Sequence, residues 1–197
     1  TPSTDIQGDS YDRNPKIKVD DRSRQILDSL VQTCIGELMV NSVKANTSIS
    51  YNPSKNGSNA SYDPSNGSLT IIIGNGYSTI GALEELIHIY QGFGSNEDYI
   101  DKKLNYEVEA KVIWSMFYVG YNNMDAMENA YGGQMGLICF KNMQNSVGYD
   151  DDCYRRSFHL AAQSLRNIKG YKSYPYDPNV TILNSIKKIL EHCGVTW

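Results

Sequence analysis

Residues 84–91, EELIHIYQ, bring two carboxylates and one imidazole into a single short segment. An α-helix has 3.6 residues per turn, so Glu84 and His88 at positions i and i+4 would share one face, with Glu85 beside them. Side chains of these types at that spacing can hold one metal ion, and a neighbouring carboxylate can activate a metal-bound water. The segment therefore predicts a metal site with His88 and Glu84 as ligands and Glu85 as general base.

A third ligand has to come from another part of the chain. The sequence has only three histidines, and Gly94 stands where a three-histidine motif would need another one, so a glutamate is the remaining candidate. The segment 105–114, NYEVEAKVIW, offers both Glu107 and Glu109. Two residues turn a helix by about 200°, so only one of these two side chains can face a given site.

TIGALEELIHIYQ at residues 79–91, followed by NYEVEAKV, resembles the metal-site half of a zincin metallopeptidase of the glutamate type, a gluzincin, with EExxH in place of HExxH. The resemblance covers residues 69–115. It implies that Glu109, which precedes an alanine, is the third ligand, with Glu107 as the alternative. It also implies a small helix-rich zincin-like domain with its site between two helices.

The same resemblance implies a place for a peptide substrate. The strand SLTIII, which precedes the first of the two helices, corresponds to the edge strand along which the family aligns its substrate. An extended peptide can add to such an edge by main-chain hydrogen bonds. Ile71 and Ile73 are the residues of this strand that the resemblance assigns to substrate binding.

The glutamate at the first ligand position changes the expected metal chemistry. A Glu, His, Glu set suits Zn²⁺, and it also suits the harder ions Mn²⁺ and Fe²⁺. Without a cation, Glu84, Glu85 and Glu109 would crowd like charges, so the site would have to be neutralised by a proton or by a basic neighbour. Two functions remain open: an active metal-dependent peptidase, and a non-catalytic pseudo-peptidase without a metal that holds a peptide or a protein partner.

The rest of the chain predicts an α+β fold with more helix than strand. Turn residues and β-prone segments predict a short antiparallel sheet over residues 48–74. Periodic apolar residues predict helices over residues 21–44, 78–91, 100–119, 123–146 and 150–168, with a last helix capped by Asn179 or Thr181 and ending near His192. A structural helical domain without zincin ancestry is the third reading of this pattern.

The first twenty residues are polar, contain two prolines and show no periodicity, so they predict a flexible tether in front of one domain at residues 21–197. Such a tether suits an exported protein, either periplasmic, secreted or held on a cell surface as a lipoprotein is.

The formal net charge of −4 and the lack of a basic cluster argue against nucleic-acid binding. No apolar run reaches the roughly 20 residues that a membrane span needs.

The remaining reactive residues give weaker predictions. The four cysteines contain no CxxC pair, which excludes a zinc ribbon; their even number permits disulfides, with Cys139 and Cys153 the nearest pair, and buried free thiols are the alternative. His159 lies on an apolar helix face, where a structural role is the ordinary reading and oxyanion stabilisation the functional one. Four tyrosines could line a cleft, at positions 118, 121, 131 and 149.

Overall fold

The computed structural model describes residues 8–119 and 151–194. The chain divides into two compact units, Thr1–Asn96 and Glu97–Trp197. Several predicted features lie outside the described residues, namely the helix at 123–146, three of the four cleft tyrosines (Tyr121, Tyr131 and Tyr149) and Cys139. The assignment of residues 21–197 to one zincin-like domain stays a prediction.

The first unit contains a five-stranded mixed sheet with the strand order β1-β2-β3-β5-β4. Its strands are β1 (Asp9–Tyr11), β2 (Asn14–Val19), β3 (Thr47–Asn56), β4 (Asn59–Asp63) and β5 (Ser68–Asn75). The prediction of a purely antiparallel sheet is wrong, because β5 inserts between β3 and β4. It runs parallel to β3 and antiparallel to β4, and β2 also runs parallel to β3.

The strand SLTIII is not an edge strand, which corrects the position that the resemblance implied. β5 pairs on both sides, and the edges of the sheet are β1 and β4. Ile71 and Ile73 are fully buried. A continuous apolar run is typical of such an internal strand, whose side chains pack into the core.

The N-terminal segment is not a tether from residue 9 onward, since residues 9–19 form β1 and β2. Ile17 and Val19 are buried, and the main chain of β2 pairs with β3. The Asn14 side chain donates hydrogen bonds to the carbonyl oxygens of Val40 and Val43, at 2.8 and 2.9 Å. Short strands with only two or three buried side chains produce too little periodicity to be recognised in the sequence.

Three helices complete the first unit: α1 (Asp21–Leu30), α2 (Cys34–Asn41) and α3 (Ser78–Tyr90). The single helix predicted over residues 21–44 is divided in two because the chain turns back at Thr33. The hydroxyl of Thr33 caps α2 by accepting a hydrogen bond from the backbone N–H of Gly36. A Cβ at Gly36 would lie 1.9 Å from the carbonyl oxygen of Leu30, so only glycine permits this close turn.

The described part of the second unit is helical. It contains α4 (Glu97–Asp101), α5 (Lys103–Trp114), a π-helical segment (Ser115–Val119), α6 (Asp151–Arg166) and α7 (Asn184–Cys193). Every residue of α5 from Leu104 to Trp114 is buried, and this helix packs against α6 and α7. The polar residues of α5 are therefore interior groups, which must find partners inside the protein.

The α+β class is confirmed, whereas the relation to zincins stays a prediction. Among the described residues, no helix combines the length and the apolar character needed to cross a membrane. Cys34 and Cys193 are disulfide-bonded. Cys153 is also disulfide-bonded, so none of the three described cysteines is a free thiol.

Candidate metal centre

Helix α3 carries the EELIHIYQ segment and starts at a tight turn after β5. Tyr77, which precedes the helix, has a left-handed backbone with φ 47°, and the Ser78 hydroxyl donates to the carbonyl oxygen of Gly74 at 3.1 Å. A Cβ at Gly81 would lie 2.4 Å from the side-chain oxygen of Ser58, so glycine lets the helix approach the sheet closely. The turn and this close approach fix the direction of α3 and hence the face that presents Glu84 and His88.

The imidazole of His88 is held in one tautomer by a neighbour on the same helix. His88 is buried, and its Nδ1–H donates a hydrogen bond of 2.9 Å to the Oε1 atom of Gln91, which is also buried. A neutral imidazole that donates through Nδ1 keeps its lone pair on Nε2. Nε2 lies 4.0 Å from the Oε1 atom of Glu84. In this tautomer Nε2 is the ring atom on the side of the Glu84 carboxylate.

Helix α5 carries the two candidate third ligands in different surroundings. Glu107 forms an ion pair with Lys111 one turn further on, with 3.6 Å between its Oε2 atom and the lysine Nζ. Glu109 is fully buried, and its Oε2 atom accepts a hydrogen bond of 3.2 Å from the backbone N–H of Ser185. Ser185 lies in the first turn of α7, which has no side-chain cap of its own. Glu109 thus caps α7 from another helix.

Glu84, His88 and Glu107 form a group that could hold a metal ion, and we call them the Glu-His-Glu triad. Each residue offers one ligand atom, and these atoms lie within 4.8 Å of one another. His88 and Glu107 are buried and Glu84 is partly exposed. Glu107, the alternative third ligand, belongs to this group, whereas Glu109, the preferred one, does not and has the structural partner described above.

Glu85, the predicted general base, is half-buried next to Glu84 on α3. It lies about 100° around the helix from Glu84, which is the expected position for a group beside a metal rather than bound to it. It is not a member of the triad. Its role as the base stays a prediction.

The charges around the triad include a cation that the sequence analysis missed. The side chain of Lys111 is 9% exposed, and its ammonium group lies 5.0 Å from the centre of the Tyr171 ring. Glu84 and Glu107 contribute two negative charges when ionised, and Lys111 compensates one of them. Lys111 follows Glu107 at i+4, the usual spacing of a helical ion pair, which is the signal that could have identified it.

Gln91 is the second residue that the sequence analysis missed. Histidines that bind metals normally donate their other ring N–H to a fixed acceptor, which orients the ring. Gln91 supplies this acceptor from position i+3 of the same helix. The spacing was visible in the segment, but a glutamine side chain is uncharged and flexible, so its role depends on the burial that only the structure shows.

His159 belongs to a different environment in the second unit. Its Nδ1 atom lies 2.5 Å from the Tyr176 hydroxyl and its Nε2 atom 3.2 Å from the Thr181 hydroxyl. Burial, and then the guanidinium of Arg155, hold the pKa of His159 below its usual range, although Asp177 acts in the opposite direction. Both ring nitrogens have protein partners, so the structure supports the structural reading of His159.

Burial also raises the pKa of Tyr118, the described member of the four predicted cleft tyrosines.

Comparisons of the chain with protein-family models, with curated proteins and with solved structures gave no match. The interpretation of the site consequently depends on its own geometry.

The assignment of Glu109 as a helix cap leads to a test of stability. Replacing Glu109 with alanine should lower the free energy of unfolding by about 1–3 kcal/mol, because the buried N–H of Ser185 loses its acceptor. Glu109→Gln keeps an acceptor oxygen and should cost less. Urea unfolding of the wild type and both variants measures the difference, and an alanine variant as stable as wild type would contradict the capping role.

Proposed function

We propose that the protein binds one divalent transition-metal ion through Glu84, His88 and Glu107. The observation that carries this proposal is the Glu-His-Glu triad, whose ligand atoms lie within 4.8 Å of one another and include His88 Nε2 at 4.0 Å from the carboxylate of Glu84. Two carboxylates and one imidazole form a donor set that binds divalent ions. A divalent ion would neutralise both carboxylates of the triad.

The distances are compatible with such an ion after a small movement. Tetrahedral ligation at about 2.0–2.2 Å places ligand atoms roughly 3.3–3.6 Å apart. The triad atoms are within 4.8 Å of one another. Side-chain rotations that shift the carboxylate oxygens by roughly an ångström would bring the three ligand atoms to the spacing that one ion needs. Oxygen and nitrogen donors suit Zn²⁺ first and Mn²⁺ or Fe²⁺ next.

We propose further that the metal supports hydrolysis of a peptide in a zincin-like manner. The resemblance of residues 69–115 to the glutamate-type zincins and the position of Glu85 beside the triad support this proposal. The metal would lower the pKa of a bound water, and Glu85 would take a proton from that water as it attacks the peptide carbonyl. The second carboxylate ligand weakens the positive charge, so the water pKa would fall less than in a site with two histidines.

The disulfide-bonded cysteines support the proposal that the protein is exported. Structural disulfides persist in oxidising compartments and are rare in the cytosol. The disulfide-bonded Cys34, Cys153 and Cys193 support export to the periplasm, to the cell surface or out of the cell. Peptides and proteins are the partners that such a peptidase would meet.

Metal binding is measured by isothermal titration calorimetry of protein purified with chelator and then dialysed. We expect one Zn²⁺ per chain. Gln91→Ala should weaken binding by about 10–100-fold, because loss of an outer hydrogen-bond partner costs that much, and His88→Asn or Glu107→Gln should weaken it by more than about 100-fold.

Glu109→Gln is the matched control for Glu107→Gln, because both variants exchange a buried carboxylate of α5 for an amide. It should keep the affinity of the wild type within about threefold, since half a kcal/mol is the scale of an indirect effect. Two results would contradict the proposed triad: the absence of stoichiometric binding, and a loss of binding in Glu109→Gln but not in Glu107→Gln.

Hydrolysis is tested separately with the zinc-loaded protein and a library of internally quenched peptides. Glu85→Gln should keep the metal affinity and reduce the rate of cleavage by about 10²–10⁴-fold, the usual contribution of a general base. Equal cleavage by the variant and the wild type would remove Glu85 from the mechanism. If the metal-loaded wild type cleaves no peptide, the peptidase proposal fails and metal binding remains.

A second candidate function is a non-catalytic pseudo-peptidase that holds a peptide or a protein without a metal. The ion pair between Lys111 and Glu107 favours it, because a buried ammonium group already supplies part of the charge that an ion would supply. In this case the triad would be an internal polar cluster, neutralised by Lys111 and by protonation.

Lys111→Met separates the two candidates, since methionine fills a similar volume without the charge. If a metal binds, removal of the competing ammonium should tighten Zn²⁺ binding by about tenfold or more. If the site is metal-free, the variant leaves Glu107 buried without its cation and should lose about 3–5 kcal/mol of stability that zinc does not restore. Calorimetry and urea unfolding with and without Zn²⁺ distinguish these results.

A further inference from the structure

The first unit contains a cavity that is separate from the Glu-His-Glu triad. Its volume is about 630 Å³, and neither Glu84 nor His88 is among its lining residues. It lies where the end of α2, the turn between β4 and β5, and the loop after α3 meet. Pockets of roughly 300–1,000 Å³ with mainly apolar walls are the size class that binds small molecules.

Two glycines shape one wall of this cavity. Gly92 and Gly94 have φ values of +100° and +85°, which turn the chain back after α3. A Cβ at Gly94 would lie 2.6 Å from the ring of Tyr62, so the loop can approach this ring only because residue 94 is glycine. The backbone N–H of Phe93 donates to the carbonyl oxygen of His88 at 2.9 Å, which anchors the loop to α3. These contacts fix the course of the loop that forms this wall of the cavity.

The lining combines flat apolar surface with a single charge. Tyr62, Tyr90 and Phe93 provide three aromatic rings, and Tyr62 is 38% exposed although it is a large hydrophobic residue. Leu69 and other aliphatic side chains add apolar surface. Among the described residues that line the cavity, Lys44 is the one with a charged side chain at neutral pH. Aromatic rings bind planar apolar groups, and an exposed ammonium group binds an anion.

We propose that this cavity binds a small aromatic carboxylate, with its ring against the aromatic side chains and its anionic group on Lys44. A free inorganic anion would find one cation among the described lining residues and would not use the apolar walls. An uncharged planar compound would leave Lys44 without a partner. The cavity is separate from the proposed metal centre, so the test of aromatic carboxylate binding does not depend on whether the triad binds a metal.

The probes are 3-phenylpropionate and its uncharged amide, titrated into the ¹⁵N-labelled full-length chain in the absence of metal. We expect saturable shifts of the backbone amides of Gly67, Gly92 and Gly94, with affinity for the acid at least about fivefold higher than for the amide, which is about 1 kcal/mol. Shifts confined to other regions, the absence of saturation up to 20 mM probe, or equal affinities for acid and amide would overturn the proposal.

Variants test the two halves of the site. Lys44→Met should abolish the preference for the acid, whereas Lys16→Met, an exposed lysine that does not line the cavity, should leave it unchanged. Tyr62→Ala should weaken both probes, and the dispersion of its spectrum shows whether the variant folds. If Lys44→Met keeps the preference, or if Lys16→Met loses it, the assignment of the anionic group to Lys44 is wrong.

Discussion

Burial of charged side chains in α5 is the constraint on which the candidate site depends. A charge removed from water has to be paired or bound to a metal, since its desolvation otherwise costs several kcal/mol. Glu109 meets this requirement by accepting a hydrogen bond from the backbone N–H of Ser185 in the first turn of α7. Glu107 meets it by forming an ion pair with Lys111. Two glutamates that are two residues apart thus have different partners, since Glu109 contacts the first turn of α7 and Glu107 pairs with Lys111 within the group that could hold a metal.

The orientation of His88 follows from a similar requirement. A buried imidazole needs a partner for its N–H, and Gln91 accepts that hydrogen bond. The consequence is that Nε2 lies on the side of Glu84, 4.0 Å from its Oε1 atom. In the proposed site, Glu84 would lower the net charge around the metal without preventing binding, because a carboxylate binds zinc at about the same distance as an imidazole. Its carboxylate would therefore affect the reactivity of the proposed site more than its affinity for a metal.

The sequence predicted the parts of this protein that depend on local periodicity. Helix α3, the pairing of Glu84 with His88 and the α+β class follow from repeats of 3.6 residues and from turn residues. It did not predict that β5 is internal, because an apolar run does not reveal which strands lie beside it. It also preferred Glu109 to Glu107. The structure places Glu107 in the group that could hold a metal and gives Glu109 a partner in α7, and neither feature can be read from local periodicity.

The central claim is that Glu84, His88 and Glu107 bind one metal ion. The most direct measurement is anomalous X-ray diffraction at the zinc edge from crystals grown with Zn²⁺. We predict one strong peak at bonding distance, about 2.0–2.2 Å, from a carboxylate oxygen of Glu84, from His88 Nε2 and from a carboxylate oxygen of Glu107. The absence of a peak there, with Lys111 still paired to Glu107, or a peak ligated by Glu109, would contradict it.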